Sequence, residues 1–254
     1  YAKEAKSFMK PLLYLDVLKI KYWERKYWQK ATRLVAVSEE EKNRMSRSDT
    51  VVAANGVDPD IFIFKKKLSE KKEKRILFMG DFKWIQNQQA VDWIITKIWP
   101  LVLSTVAKKK LDINPRLWIV GRNIPESIKA QTSTTITLGE NEPDTAKVYR
   151  NSTILLAPIK VGGGSSYKIL EAMCSGVPVV STPLGAIGVG AKDKKEMLVG
   201  ETEQELADAV VSLLENEKLY DNIRAHARKL IEEEFTWETV AKRLERVYSE
   251  VSSS

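Results

Sequence analysis

The sequence predicts an α/β fold in which a Rossmann-like parallel sheet carries helices on both faces. Three stretches are apolar without polar alternation: RILFMG at 75–80, RLWIVG at 116–121 and TILLAP at 153–158. Such runs are typical of strands that are buried on both faces. Helical patterns separate these strands along the chain, and strands that alternate with helices form parallel sheets.

The first residues predict a helix, a strand and a second helix. Apolar side chains recur at helical spacing within residues 8–30, where Pro11 is suited to the start of the helix. The short apolar run at 33–38 predicts a strand. Ser38 is a typical N-cap residue, and the three glutamates that follow it suit the positive end of a helix dipole. These elements are too few to form a sheet of their own.

From residue 51 onward the alternation becomes regular. The sequence predicts strands at 51–55, 75–80, 116–121, 135–139, 153–158 and 177–182. It predicts helices from about 87 to 97, after Pro100, at 143–152, directly before the strand at 177–182, and three more beyond Glu201.

Length and composition limit the class of protein. A chain of 254 residues, 43% hydrophobic and 30% charged, can bury one substantial core and part of a second. No stretch approaches the roughly 18 uninterrupted apolar residues of a membrane-spanning helix. The single cysteine, Cys174, excludes an internal disulfide and a cysteine-based zinc site. We expect a cytoplasmic protein, and because the chain begins with Tyr1 rather than Met, a piece of a longer one.

The formal net charge of +7 suits a polyanion, a phosphorylated ligand or an anionic membrane face. Much of the excess lies in short runs at 65–75 and 108–110, which are typical of solvated loops. A basic nucleic-acid binder would interleave aromatic side chains on a basic face, and this pattern is missing. We therefore expect no nucleic-acid partner.

The segment VGGGSSYKILEAMCSGVPVVST at 161–182 predicts an anion site. Its glycines, Gly162, Gly163 and Gly164, with Ser165 after them, join a strand to a helix at the edge of the sheet where ligands bind. Glycine lets the backbone approach a ligand closely. On the helix, Lys168 can reach a diphosphate, and Glu171, three residues later on a neighbouring position, can accept hydrogen bonds from a ribose diol.

Several motifs, in order, resemble the C-terminal, donor-binding domain of a family 4 glycosyltransferase with the GT-B architecture. They are NGVDPDIF, ILFMGDFKWIQNQQAVDWIITKIWPLV, LWIVGR and APIKVGGGSSYKILEAMCSGVPVVSTPLGAIG, and the resemblance runs from about Val35 to Tyr248. It implies three parts. Residues 1–46 are a remnant of a truncated N-terminal acceptor domain, 47–235 are the donor-binding domain, and 236–254 are a C-terminal helix that crosses back to the N-terminal domain.

The resemblance implies transfer of a sugar, with retention of configuration, from a nucleotide sugar to a hydroxyl of a glycan, a lipid or another acceptor. It implies no metal and no cofactor beyond the donor substrate. Glu171 matches the second glutamate of the family's Glu, seven residues, Glu motif, which contacts the ribose. The first glutamate falls on Gly163, and this departure leaves the identity of the sugar open.

Further site residues follow from the same resemblance. Lys83 and Lys168 are the candidates that neutralise the diphosphate, so both are assigned a catalytic role. Arg122 is a candidate contact on the nucleotide side, and Gly80, at the end of a strand, is assigned to substrate binding. Ser166 occupies a position near the glycine loop where the family often has an arginine, so the cluster of basic side chains has fewer members here.

Two other functions stay open at this point. One is a non-transferase GT-B enzyme such as a nucleotide-sugar epimerase. The other is an inactive nucleotide-sugar-binding half-protein that acts with a partner chain. The aromatic and basic helix at 14–28 also leaves open a peripheral membrane contact, which would lie at the inner face of the membrane.

Overall fold

A computed structural model describes residues 10–65, 72–161 and 166–253. The strands are β1 (Val35–Ala36), β2 (Val51–Val52), β3 (Glu73–Asp81), β4 (Asn114–Arg122), β5 (Ile136–Glu140), β6 (Ile154–Ala157), β7 (Val179–Ser181) and β8 (Leu198–Val199). Six of them form one sheet in the order β5-β4-β3-β6-β7-β8, and every pairing in it is parallel. The predicted α/β class with a parallel sheet is confirmed.

The helices are α1 (Lys10–Lys30), α2 (Glu39–Met45), α3 (Ile85–Trp93), α4 (Trp99–Lys108), α5 (Glu126–Lys129), α6 (Thr145–Arg150), α7 (Tyr167–Cys174), α8 (Pro183–Val189), α9 (Glu203–Glu215), α10 (Glu217–Leu230) and α11 (Trp237–Ser252). The three helices predicted beyond Glu201 are α9, α10 and α11. Thr202 and Glu205 form a capping box at the start of α9, which satisfies backbone donors that the helix itself leaves unpaired.

Alternate residues of each strand pack into two cores on opposite faces of the sheet. Ile76 and Phe78 of β3 belong to one core with side chains of α4 and α9, whereas Leu77 belongs to the other core with side chains of α7. Side chains of a strand alternate between its two faces, so only an uninterrupted apolar run can fill both cores. This is the physical reason for the patterns at 75–80, 116–121 and 153–158.

One long helical segment, Ile85–Lys108, crosses the first core where the sequence predicted two helices. A π-helical turn, Ile94–Ile98, joins α3 to α4 two residues before Pro100, and the helix continues through the proline. By length and composition alone the segment is able to cross a membrane. Its buried side chains, among them Ile94 and Val102, pack in the core that α9 also covers.

The first strand lies outside the main sheet and pairs with β2. β1 and β2 pair in parallel, with Val35 opposite Val51, separately from the six-stranded sheet. The predicted strand at 51–55 is therefore the partner of the strand at 33–38, and this pairing joins residues on both sides of the expected boundary at residue 46. Ser38 caps α2 as predicted, because its Oγ accepts from the Glu41 N–H over 3.2 Å.

The C-terminal helix contacts the N-terminal segment. Arg33, just before β1, forms an ion pair with Glu250 near the end of α11. At the other end of α11, Val57 and Thr236 form an isolated parallel bridge. The first contact reaches the residues assigned to the N-terminal domain and the second reaches those assigned to the donor-binding domain, and the predicted division into three parts stays a prediction.

Candidate functional site

A cavity lies at the point where the chain reverses its direction along the sheet. From β3 the sheet continues through β4 to β5, and from β6, which pairs with β3, it continues in the opposite direction to β7 and β8. Open α/β sheets bind ligands at such a switch point. The cavity here measures about 380 Å³. Its described lining includes Phe78, Trp84, Asn87, Lys160, Ser166 and Lys168.

The predicted glycine loop lies outside the described residues. Gly162, Gly163, Gly164 and Ser165 are the four residues between the described segments that end at Val161 and begin at Ser166. Val161 and Ser166 both line the cavity. The predicted contacts of these four residues therefore remain predictions.

Lys168 reaches the cavity from the first turn of α7. Its Nζ donates to Oδ1 of Asn87 over 2.8 Å and lies 4.6 Å from the centroid of the Phe78 ring. Burial lowers the pKa of Lys168 to about 8, and the charge of Glu171 acts in the opposite direction. The structure thus brings Lys168 to the switch point, where the sequence analysis expected it.

Asn87 is a residue of this site that the sequence analysis did not identify. Its Nδ2 donates to the backbone carbonyl of Asp81 over 2.8 Å, at the end of β3. Its Oδ1 accepts from Lys168, which can only donate, so the two bonds agree on the orientation of the amide. Asn87 lies within one of the motifs that carry the family resemblance, but no role was predicted for it, because an asparagine on the first turn of a helix is ordinary.

Gly80 makes room for Asn87. A Cβ atom at Gly80 would lie 2.8 Å from the side-chain amide of Asn87, closer than real Cβ atoms approach other atoms. Gly80 was assigned to substrate binding, and it does not belong to the described lining of the cavity. In the structure, Gly80 allows the Asn87 side chain to lie directly against β3.

Glu171 lies one turn beyond Lys168, half-buried and outside the described lining of the cavity. Its Oε2 accepts from the hydroxyl of Tyr149 over 2.9 Å. Burial raises the pKa of Glu171, while the Tyr149 hydrogen bond and the charge of Lys168 act against this rise. The carboxylate is therefore held by a specific donor on α6.

Lys83 and Arg122 surround Asp81 at the tips of β3 and β4. The Asp81 carboxylate accepts from Nδ2 of Asn123 over 2.8 Å and from the Lys83 N–H over 2.9 Å, and it lies 3.6 Å from the Arg122 guanidinium. These contacts, that of Asn123 first, lower the pKa of Asp81. Both basic side chains are exposed and lie outside the described cavity lining. The structure does not bring them together with Lys168.

A second lysine, Lys160, lines the cavity from the loop after β6. Its Nζ lies 3.4 Å from the centroid of the Trp93 ring, and Nε1 of Trp93 donates to Oε1 of Glu203 over 2.7 Å. An ammonium group is attracted to the face of an indole ring. No role was predicted for Lys160, although its place three residues after a buried strand was a usable signal.

The wall of the cavity also includes residues from outside the main sheet. Glu40 of α2 is the one carboxylate among the described lining residues. Trp84 also lines the cavity, and 55% of its surface is exposed. Within residues 10–65, 72–161 and 166–253, no group of three or more His, Cys, Asp or Glu side chains lies close enough to hold a metal ion. The described part of the cavity thus combines two ammonium groups, two side-chain amides, one hydroxyl and one carboxylate.

Comparison with known sequences gives the family. Residues 73–216 match the family described as Glycosyl transferases group 1. A phosphatidyl-myo-inositol mannosyltransferase of Mycobacterium leprae is 27% identical over 217 residues, which cover 82% of this chain and 55% of the relative. An uncharacterized 44.6 kDa protein in the cps region of Klebsiella pneumoniae is 22% identical over 236 residues, which cover 91% of this chain and 60% of the relative. The chain therefore spans somewhat more than half the length of these relatives.

Comparison with solved structures gives the fold. A glycosyltransferase from Rickettsia africae superposes with a TM-score of 0.66 at 18% identity, covering 89% of this chain and 66% of that chain. Anabaena HepE, solved in complex with UDP and glucose, superposes with a TM-score of 0.64 at 15% identity, covering 88% of this chain and 64% of that chain. The resemblance to GT-B glycosyltransferases is confirmed. Because the matched residues, 73–216, are more than half of the 254, the chain belongs to the Glycosyl transferases group 1 family.

Proposed function

We propose that this chain is the donor-binding part of a retaining glycosyltransferase that uses a nucleoside-diphosphate sugar. The observation that carries the proposal is the position of the Lys168 ammonium in the cavity at the switch point between β3 and β6. Among the described residues Lys168 forms no salt bridge, and its nearest partner is a neutral amide. An ammonium whose charge is not neutralised by the protein favours an anion, and the diphosphate is the anion of a nucleotide sugar.

The two cavity lysines suit the chemistry of glycosyl transfer. When the bond between the anomeric carbon and the diphosphate oxygen breaks, negative charge grows on the leaving oxygen. Lys168 and Lys160 supply fixed positive charge there, and one such group typically contributes a few kcal/mol to transition-state stabilisation. The acceptor oxygen forms the new bond on the same face of the sugar, and its proton passes to the leaving diphosphate. This scheme needs no metal cofactor and no protein base.

Glu171 is proposed to bind the ribose of the donor. It lies on the same helix as Lys168, one turn further on, which matches the separation between a diphosphate and its ribose. The Tyr149 hydroxyl holds Oε2 of this carboxylate. Lys83 and Arg122 are proposed to act from the rim, where their exposed side chains have room to turn toward a bound nucleotide.

The acceptor is proposed to be a carbohydrate or a lipid-linked glycan, in the cytoplasm at the inner face of the membrane. The names of the relatives support this: one transfers mannose to phosphatidyl-myo-inositol, and another is encoded in a cps region. α1 supports a peripheral membrane contact, because Tyr22, Trp23 and Tyr27 are exposed and Lys26 lies 4.6 Å from the Trp23 ring centroid. Since the chain spans somewhat more than half of its relatives, we expect it to bind donor and to lack transfer activity alone.

A thermal-shift and calorimetric panel tests the donor proposal. UDP, GDP and ADP, with UDP-glucose, GDP-mannose and ADP-glucose, are compared with the corresponding nucleosides. A ligand at about 100 times its Kd stabilises the folded state by about 2.7 kcal/mol, which for this size raises Tm by roughly 5–10 °C. We expect Lys168→Met to remove the shift and Lys218→Met, an exposed lysine on α10, to keep it. Absence of any shift with all six nucleotides contradicts the proposal.

The same reagents separate the two other functions. An epimerase converts the donor when no acceptor is present, so unchanged nucleotide sugar after prolonged incubation with the complete N-terminal part restored excludes it. A binding half-protein takes up donor but stays inactive when the complete N-terminal part is restored, whereas a transferase gains activity. Chelation with EDTA is expected to leave donor affinity unchanged, and a loss of binding that Mg²⁺ restores contradicts the metal-free scheme.

A further inference from the structure

The Lys168 ammonium is held by a neutral partner. Its Nζ is 2.8 Å from Oδ1 of Asn87 and lies over the face of Phe78, and no described carboxylate forms a salt bridge with it. Glu171, on the same helix, directs Oε2 to the Tyr149 hydroxyl instead. A half-buried lysine usually gains a carboxylate partner, because an unpaired charge is costly to bury. Here an amide occupies that position.

The amide itself is fixed by the end of β3. Asn87 Nδ2 donates to the Asp81 carbonyl over 2.8 Å, and Gly80, next to Asp81, provides the space in which the asparagine side chain lies. Because the donor end of the amide is bound to backbone, its acceptor end points to the lysine and cannot exchange with the donor end. The strand therefore sets the position of the ammonium through one side chain.

We infer that Asn87 is a positioning residue for donor binding: it holds the Lys168 ammonium in the cavity with a neutral acceptor, so that the whole positive charge is left for the donor diphosphate. This inference rests on the proposed function. A carboxylate at position 87 would pair with the lysine, but it would lose the bond to the Asp81 carbonyl, neutralise the positive charge and repel the phosphates. An asparagine at position 87 therefore gives the cavity a higher affinity for anions than an aspartate would.

Other charged groups near Lys168 act equally in all variants. Glu171 lies on the same helix, Tyr149 on α6 stays protonated because burial raises its pKa, and Lys160 and Glu40 line the same cavity. Asp81, whose carbonyl binds Asn87, directs its carboxylate to Asn123 and Lys83. A change in the titration of Lys168 that accompanies a substitution at 87 therefore reports on the Asn87 contact.

The test measures the affinity for UDP-glucose and GDP-mannose, whose diphosphates do not titrate near neutral pH, in Asn87→Ala and Asn87→Asp. Gln89→Glu, on the exposed face of α3, is the control that adds the same charge as Asn87→Asp away from the cavity. We expect both Asn87 variants to lose about 10- to 100-fold in affinity for whichever donor binds, a range set by hydrogen bonds to charged groups. Gln89→Glu is expected to bind like the parent.

Two readouts distinguish positioning from a loss of structure. In a Lys168→Met background, Asn87→Ala is expected to have no further effect on donor affinity, because the residue acts through the lysine. NMR titration of the Lys168 side chain is expected to give a lower pKa in Asn87→Ala and a higher one in Asn87→Asp. Equal losses with and without Lys168, or an unchanged lysine titration, overturn the inference.

Failure of the proposed function has a different signature. If the parent protein binds none of the donors, the donor proposal falls, while the NMR titration still decides whether Asn87 controls the ammonium. If the parent binds donor and the Asn87 variants bind equally well, the donor proposal stands and the positioning role is wrong. The thermal stability of each variant without ligand is recorded, so that an unfolded variant is not counted as a weak binder.

Discussion

Tyr149 donates its hydroxyl to Oε2 of Glu171 over 2.9 Å from a completely buried position. The bond joins α6 to α7 directly behind the cavity. It also explains how a half-buried carboxylate remains at this place: the hydroxyl, which also lies 3.3 Å from the backbone carbonyl of Lys168, compensates for part of the lost hydration. The orientation of Glu171 therefore depends on a residue that does not belong to the described cavity lining.

Replacing Tyr149 with phenylalanine tests this dependence. We expect Tyr149→Phe to lower the free energy of unfolding by about 1–3 kcal/mol, because a buried acceptor loses its donor. Donor affinity is expected to fall several-fold at neutral pH, since Glu171 is no longer held. Urea unfolding and calorimetric titration measure the two effects. Tyr248→Phe, an exposed tyrosine of α11, is the control. Equal stability of both variants contradicts the prediction.

Replacing Glu171 with glutamine separates stability from binding. The pKa of Glu171 is raised in the folded state, so the folded protein binds its proton more tightly than the unfolded chain does. Its contribution to stability is then greatest at low pH and falls as the pH rises past the unfolded value of about 4.3. We expect the stability of Glu171→Gln relative to the parent protein to be higher at neutral pH than at about pH 4. We also expect this variant to bind donor more weakly than the parent. Unfolding curves at both pH values check the sign.

The pH dependence of donor binding reports on Lys168. Its pKa is lowered to about 8, so the ammonium loses its proton as the pH rises through this value. Donor affinity is expected to be constant below this range and to fall above it, because only the charged form attracts the diphosphate. The folded state releases this proton before the unfolded chain does, so the same titration makes the protein without donor more stable between about pH 8 and pH 10. Calorimetry across this range gives the profile, and Lys168→Met is expected to be flat.

Gly80→Ala tests the fit between β3 and Asn87. The added methyl group would lie 2.8 Å from the Asn87 amide, so the asparagine side chain must move. We expect donor affinity to fall about 10-fold, close to the loss in Asn87→Ala, because the acceptor of Lys168 is displaced. Gly190→Asn is the control: no atom lies within 4 Å of its Cβ position, and asparagine tolerates the positive φ of 63°. Unchanged affinity in Gly80→Ala argues against a rigid contact.

Trp93→Phe tests the support of the second lysine. The substitution removes the indole N–H that binds Glu203 and weakens the ring face over which Lys160 lies. We expect a loss of roughly 2- to 5-fold in donor affinity, in line with the modest strength of a cation–π contact. In a Lys160→Met background the same substitution is expected to have no further effect on affinity. An equal loss in both backgrounds assigns the effect of Trp93 to packing alone.

The strands of the sheet were predictable from the sequence because burial on both faces requires uninterrupted apolar runs. The sequence also indicated Lys168, because this lysine lies on the helix that follows a glycine run at the end of a strand. α8 and the two-residue strand β8 were not predicted, since a short element that completes a sheet edge carries too few residues for a periodic pattern. The two predicted helices around Pro100 form one segment, because a π-helical turn before the proline accommodates it.

The sequence by itself determined the parallel sheet and the presence of a basic residue at the carboxyl edge of its strands, because apolar runs and a strand–glycine–helix order leave few alternatives. Only the tertiary structure decided that Asn87 holds Lys168, that Tyr149 holds Glu171 and that Lys83 and Arg122 gather at Asp81 instead of in the cavity. The Asn87–Lys168, Tyr149–Glu171 and Arg122–Asp81 contacts each join residues of different elements. Local pattern does not encode them, since the direction of a side chain follows from how the helices pack on the sheet.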